Sequence, residues 1–252
     1  MKAFEKNFLQ FLEGVDKTFI IPVYQRNYDW KREQCKQLFD DIILISKEEY
    51  RSHFIWTIVA YNEWGWYEFL IIDWQQRLTT ISILLLAIYN ILNESWEESI
   101  LKDKIYQQYL INPYSEDEEK KIRLKPVKDD KLAFDSIFDW EKIDDSNITI
   151  NYDYFYNRIK ETTISIKELY EAIKQLRIVE ILLIKWEDDP QLIFESLNST
   201  GLELTEADKV RNYILMKENA RTQEEWYKDY WYKIEKNTIF EVSSFLRDYL
   251  TL

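Results

Sequence analysis

Residues 67–88 read YEFLIIDWQQRLTTISILLLAI. An apolar run, Phe69 to Ile72, stops at Asp73-Trp74-Gln75-Gln76-Arg77, and a second apolar stretch runs from Leu78 to Ile88. The first run is short and rich in Ile, which fits a buried strand; the second is long enough for a buried helix. A chain that buries both must hold five polar or amphipathic residues at a strand-to-helix turn, which calls for a core of mixed α and β structure. A helix starting there presents backbone N–H groups and a positive dipole end. Arg77 adds a guanidinium, and Gln75 and Gln76 add amide donors, a set suited to phosphate or another anion. The same residues admit a structural reading, in which Asp73 caps the helix and Arg77 pairs with a carboxylate.

Two more segments carry similar chemistry. Phe19 to Trp30 is a short apolar strand, a proline, then VYQRNYDW. Tyr24, Tyr28 and Trp30 offer flat faces for a base, and Gln25 and Arg26 offer forks for base edges or phosphate. Taken alone, this is also what a strand-to-helix loop with packed rings looks like. Further on, Ile193 to Leu197 reads as a helix, Gly201 as its left-handed stop, and Thr205 with Asp208 as the capping pair of the next helix. Asn198, Lys209, Arg211 and Asn212 are left without a local structural reason.

Taken together and in order, IPVYQRNYDW, IIDWQQRLTT and IFESLNSTGLELTEADKVRNYIL resemble the N-terminal domain of GmrSD-type modification-dependent restriction endonucleases, over roughly residues 4 to 250. The resemblance implies an α+β fold, a small ParB/sulfiredoxin-like mixed β core with extensive helical insertions. It also implies defence against foreign, often modified, DNA, with NTP (GTP or ATP) and Mg2+ at the QQR turn. On that reading Asp73, Gln76 and Arg77 would serve catalysis. Tyr24, Gln25, Arg26, Gln75, Gln76 and Arg77 would gather around nucleotide or phosphate, joined by Asn198, Asp208, Arg211 and Asn212. Tyr24, Tyr28, Trp30 and Trp74 would stack on a base. The family usually writes Asp-Gly-Gln-Gln-Arg, and Trp74 stands at that glycine; Trp56 stands at a second family glycine. Glycine permits positive φ and close backbone approach, so the two tryptophans imply a partly filled pocket and weakened turnover.

Composition narrows the options. One histidine, His53, and one cysteine, Cys35, cannot build a zinc site of the usual kind or an HNH nuclease centre. His53 reads as a structural or surface residue, and such a nuclease domain is expected as a C-terminal neighbour or partner subunit. The formal net charge of −13 opposes long-range attraction to DNA, although Arg26, Lys31, Arg32, Arg51 and Arg77 form a local basic group. The longest apolar run, Ile81 to Leu92, is too short to span a bilayer, and a single cysteine fits a reducing cytoplasm. Three roles emerge: a nucleotide-binding sensor and effector of a restriction system, with possible NTPase or nuclease activity; a non-catalytic reader of modified bases; and a degenerate scaffold that binds a protein partner, with self-association open.

Patterning predicts a helix over 4–13, a strand over 18–22, a helix over 31–48 and a hairpin of strands 54–61 and 67–73. Helices are expected to about 93, over 98–110 and over 128–138, with a short strand at 121–125 between them. A long helix over 152–175, a strand from 177 to 186, and helices after Pro190 complete the reading. The expected organisation is a motif-bearing core of 1–93 with 176–217, a helical lobe of 94–175, and C-terminal helices over 218–252.

Overall fold

The computed structural model describes the chain except residues 15, 48–54, 63–66, 96–99, 117–120, 185–186, 199–204, 217, 219, 240 and 252. His53, Arg51, Gly65 and Gly201 therefore lie outside the described residues. So do the side chains of Trp56 and Asn198, whose backbones belong to a strand and a helix.

The chain forms an α+β fold that is predominantly helical, as expected. Six strands make one mixed sheet: β1 (Lys2–Asn7), β2 (Thr18–Ile20), β3 (Ile55–Tyr61), β4 (Glu68–Asp73), β5 (Leu124–Lys125) and β6 (Arg177–Leu183), in the order β1-β6-β3-β4-β2-β5. β3 runs antiparallel to β4 and parallel to β6, while β2 runs parallel to both β4 and β5. Inner strands bury Ile58, Val59, Ala60, Ile71, Ile72 and Ile178, the apolar run that a strand covered on both faces requires. The β3–β4 register shifts between Val59, opposite Asp73, and Ala60, opposite Ile71. This bulge re-aims the end of β4 just before the turn to the next helix.

Helix α1 (Phe8–Leu12) precedes β2, and α2 (Arg32–Ser46) buries Cys35, Leu38, Phe39, Ile42 and Ile45 at helical spacing. The 20-residue α3 (Gln75–Glu94) is buried along most of its length, including Leu78, Ile81 and Leu84–Ile88. It meets the helix Asn147–Glu161, where Asn90 Nδ2 donates to the Tyr152 hydroxyl at 2.7 Å. Helix α4 (Ile100–Ile105) runs into a π turn, Tyr106–Leu110. Arg123, only 1% exposed, closes that end: its guanidinium donates to the carbonyls of Ile111, Leu12, Gln108 and Gln107 at 2.5–3.1 Å. Burial lowers its pKa to about 10, opposed by Asp16.

Two expectations are corrected. Residues 4–13 are not one helix: Lys2–Asn7 is an edge strand, antiparallel to β6 from Lys2↔Leu182 to Asn7↔Arg177, and only Phe8–Leu12 is helical. The stretch 152–175 is two helices, Asn147–Glu161 and Ile166–Lys174. They are parted because Ser165 accepts from the Glu168 N–H at 3.2 Å while Glu168 accepts from the Ser165 N–H at 2.7 Å, a capping box that starts a new helix.

The chain divides into two compact units. One comprises Met1–Ile21 and Asn27–Lys185; the other comprises Pro22–Arg26 and Trp186–Leu252. Residues 94–175, expected as a lobe of their own, belong to the same unit as the sheet, and the motif at residues 21–30 is shared between the two units.

Candidate functional site

In the sheet-bearing unit, β4 ends at Asp73 and α3 begins at Gln75. Trp74 between them has φ 88° and ψ 13°, the left-handed region, where a side chain costs roughly 1–2 kcal/mol and glycine costs nothing. Its indole is buried, 5% exposed, and packs on Phe8 with ring centroids 5.5 Å apart. The conformation thus suits glycine, and hydrophobic packing holds a tryptophan in it. A left-handed residue followed by right-handed ones turns successive N–H groups toward one concavity. The Gln75, Gln76 and Arg77 N–H groups precede the first bond within the helix, Leu78 N–H to the Trp74 carbonyl at 3.1 Å. Asp73 Oδ1 accepts the Trp74 N–H at 2.8 Å, so a carboxylate sits at the rim of this helix end.

Gln75 and Gln76 are buried, whereas Arg77 is exposed. The Arg77 guanidinium lies 6.0 Å from the centre of the half-buried Trp30 ring. Crowding by protein atoms lowers its pKa and the Asp73 charge opposes that; an arginine stays cationic at neutral pH regardless.

Gln76 spends both ends of its amide on the motif loop. Its Oε1 accepts the N–H groups of Asp29 and Trp30 at 2.8 and 3.3 Å, and its Nε2 donates to the Asn27 carbonyl at 3.0 Å. Tyr28, read from sequence as a stacking face, is 5% exposed. Its hydroxyl meets Thr80 Oγ1 at 2.7 Å and Asn151 Nδ2 at 3.0 Å, and its N–H donates to Asp130 Oδ2 at 2.6 Å. Burial drives the phenol well above its ordinary pKa, with Cys35 adding to the effect, and burial pushes the Cys35 thiol up to about 12. Both groups are therefore neutral structural pins. Asn151 Nδ2 also donates to the Trp30 carbonyl at 2.8 Å, and Asn147 Nδ2 donates to the Tyr28 carbonyl at 3.1 Å. Asn151 escaped the sequence reading, although an Asn within the apolar stripe Ile148, Tyr152, Phe155 and Ile159 is the sort of signal that reveals a buried polar clamp.

The second unit contains the other motif residues. Tyr24 is buried in a cluster with Leu215, Tyr227, Trp231 and Val242, edge-on to Phe194 at 6.4 Å. Gln25 is also buried, and Arg26 is exposed. Thr205 caps the helix Glu206–Leu215 in a reciprocal box with Asp208, as the sequence indicates. Arg211, 6% exposed, spends its guanidinium internally: Nε donates to the Tyr24 carbonyl at 2.8 Å, while the terminal nitrogens meet Asp208 at 2.6 Å and Glu235 at 3.2 Å. Glu235 accepts further from Tyr227 and Trp231 at 2.5 and 2.9 Å. Nothing near Arg211 in the sequence announces Glu235, which lies 24 residues away. Asn212 is 1% exposed, and its Oδ1 has no hydrogen-bond partner among the described residues. The backbone of Asn198 closes the helix Pro190–Asn198.

The fold and the turn define an α+β domain with a strand-to-helix turn whose middle residue is left-handed, fronted by an exposed arginine and a half-buried tryptophan. The model of the family described as GmrSD restriction endonuclease, N-terminal domain, matches residues 8–215, and the chain belongs to that family. A search of the curated proteins finds no match. Family membership implies a role in a restriction system. No described helix is long and apolar enough to cross a membrane.

Proposed function

We propose that this chain is the nucleotide-binding sensor and effector domain of a DNA restriction system, and that the turn Asp73–Arg77 with Trp30 is its ligand site. The observation that carries the reading is the exposed Arg77, which stands beside the Trp30 ring at the start of a long buried helix. The cradle and the guanidinium suit a phosphate, and the Trp30 ring suits a base. Asp73 disfavours a dianion unless a cation such as Mg2+ accompanies it. Among the described residues no group of three or more His, Cys, Asp or Glu is placed to hold a metal; the Mg2+ of this reading arrives on the nucleotide's own phosphates.

The roles divide by geometry. Arg77 binds phosphate and Trp30 stacks. Gln76 is a positioning residue, since both ends of its amide hold the loop that carries Trp30. Asp73 orients the turn through the Trp74 N–H. Buried Tyr24, Tyr28 and Arg211 support the loop and the second unit and do not touch the ligand. Titrating ATP or GTP with Mg2+ while following tryptophan fluorescence tests the reading. Saturable quenching that disappears in Trp30→Phe is expected; an unresponsive signal together with no binding by calorimetry would sink it.

A further inference from the structure

A cavity of about 340 Å3 opens in the sheet-bearing unit between the start of α2 and the helix Asn147–Glu161, with Arg32, Asp153, Tyr154, Asn157, Arg158 and Glu161 on its walls. We propose that it seats a phosphodiester of DNA, apart from the turn at Arg77. The inference goes beyond the nucleotide reading and does not depend on it.

The argument starts from charge. The chain carries 46 acidic and 33 basic side chains, so an arginine is expected to find a carboxylate. Among the described residues no ion pair involves Arg32; its guanidinium lies over the Tyr154 ring, 5.3 Å from the centroid. Arg158 is placed similarly, 5.7 Å from the Phe39 centroid, with its carboxylate contact, Asp40, at a loose 3.7 Å. Lys36 already holds Asp40 at 2.6 Å, and Lys142 pairs with Asp153. The walls themselves carry two arginines, Arg32 and Arg158, and two carboxylates, Asp153 and Glu161; Lys142 pairs with Asp153 and Lys36 with the Asp40 that Arg158 touches, so neither Asp153 nor Asp40 is left to hold Arg32 or Arg158 tightly. Stacking on an aromatic ring fixes a guanidinium in place and leaves its N–H fork unspent. Two arginines held this way beside a cavity suit a monoanion that accepts in-plane hydrogen bonds. A phosphodiester is one, whereas Glu161 and the shared Asp40 disfavour a dianionic phosphate. Membership of a restriction family selects DNA as the source.

Tyr154 is the positioning residue. Its hydroxyl is buried and has no hydrogen-bond partner among the described residues, so its contribution is the ring alone. The test is equilibrium binding of a labelled DNA duplex by the full chain across a salt series. Arg32→Ala is expected to weaken binding about tenfold and to lower the salt slope by about one, as for a lost phosphate contact. Tyr154→Leu, which removes the platform, weakens binding several-fold, whereas Tyr154→Phe binds as the wild type does. Nucleotide quenching stays intact in all three variants, which separates this site from the turn at Arg77. The proposal is overturned if the wild type shows no salt-dependent DNA binding, if Arg32→Ala binds like the wild type, or if Tyr154→Phe loses affinity as Tyr154→Leu does.

Discussion

Two helix starts in this protein use similar parts differently. The helix Glu206–Leu215 begins with Thr205 and Asp208 in a reciprocal box, and its Arg211 is buried between Asp208 and Glu235. Helix α3 begins with Trp74 in the left-handed region and no side-chain cap, and its Arg77 reaches solvent beside Trp30. In the first case the orphan N–H groups and the guanidinium are satisfied by the protein itself. In the second, Gln76 is spent on the motif loop and Arg77 alone is displayed. An arginine beside a helix start is therefore not a binding residue by position; what separates the two is burial, since Arg211 is enclosed by protein while Arg77 is exposed.

The largest expected effect lies at the closed start. Glu235→Ala leaves Arg211 buried with one of its two carboxylates and removes the carboxylate that Tyr227 and Trp231 donate to, so stability should fall by about 3–5 kcal/mol. Urea unfolding measures it; a loss under 1 kcal/mol would mean that this network is not the structural lock the comparison requires. Trp74→Gly comes next, with two opposed terms. Glycine relieves roughly 1 kcal/mol of left-handed strain, but removal of a buried indole costs about 3–5 kcal/mol. Burial wins, and a net loss of about 2–4 kcal/mol is expected in the same assay, alongside a gain in any nucleotide turnover. A more stable variant would show that Trp74 is strained without compensation from packing.

Gln76→Ala removes the clamp on Asn27, Asp29 and Trp30. It should lower stability by about 1–2 kcal/mol and weaken nucleotide quenching, because Trp30 is no longer held. If quenching persists unchanged, Gln76 is structural only. Arg77→Ala is expected to have the smallest effect on the fold, within about 0.5 kcal/mol, as for an exposed surface residue.

Much of the framework could be read from sequence because burial there leaves a local pattern. The run Phe69–Ile72, the helix from Gln75 and the strand beginning at Arg177 are apolar enough to identify themselves, and Thr205 with Asp208 announces a cap within four residues. β1 could not be read. It is an edge strand whose residues Lys2 to Glu5 are exposed, and Phe4, Phe8, Phe11 and Leu12 fall at helical spacing, so the local pattern favours the wrong element. Only pairing with β6, far along the chain, decides it. The burial of two motif tyrosines escaped the sequence for a similar reason. Tyr24 and Tyr28 stand among polar neighbours and look displayed. Their burial depends on Tyr227 and Trp231 in one case, and on Thr80 and Asn151 in the other, partners that no local window contains. Trp74 is the converse: sequence alone makes it look misplaced, and the structure shows the left-handed backbone together with the Phe8 contact that offsets it.

The contrast between a displayed and an enclosed guanidinium is tested most directly by nucleotide affinity in Arg77→Ala, with thermal unfolding followed on the same sample. The account predicts binding weaker by about 1.5–3 kcal/mol, the scale of a lost charge-assisted hydrogen bond, with an unchanged unfolding midpoint. Wild-type affinity in this variant, or a midpoint that falls as far as in Glu235→Ala, would contradict it.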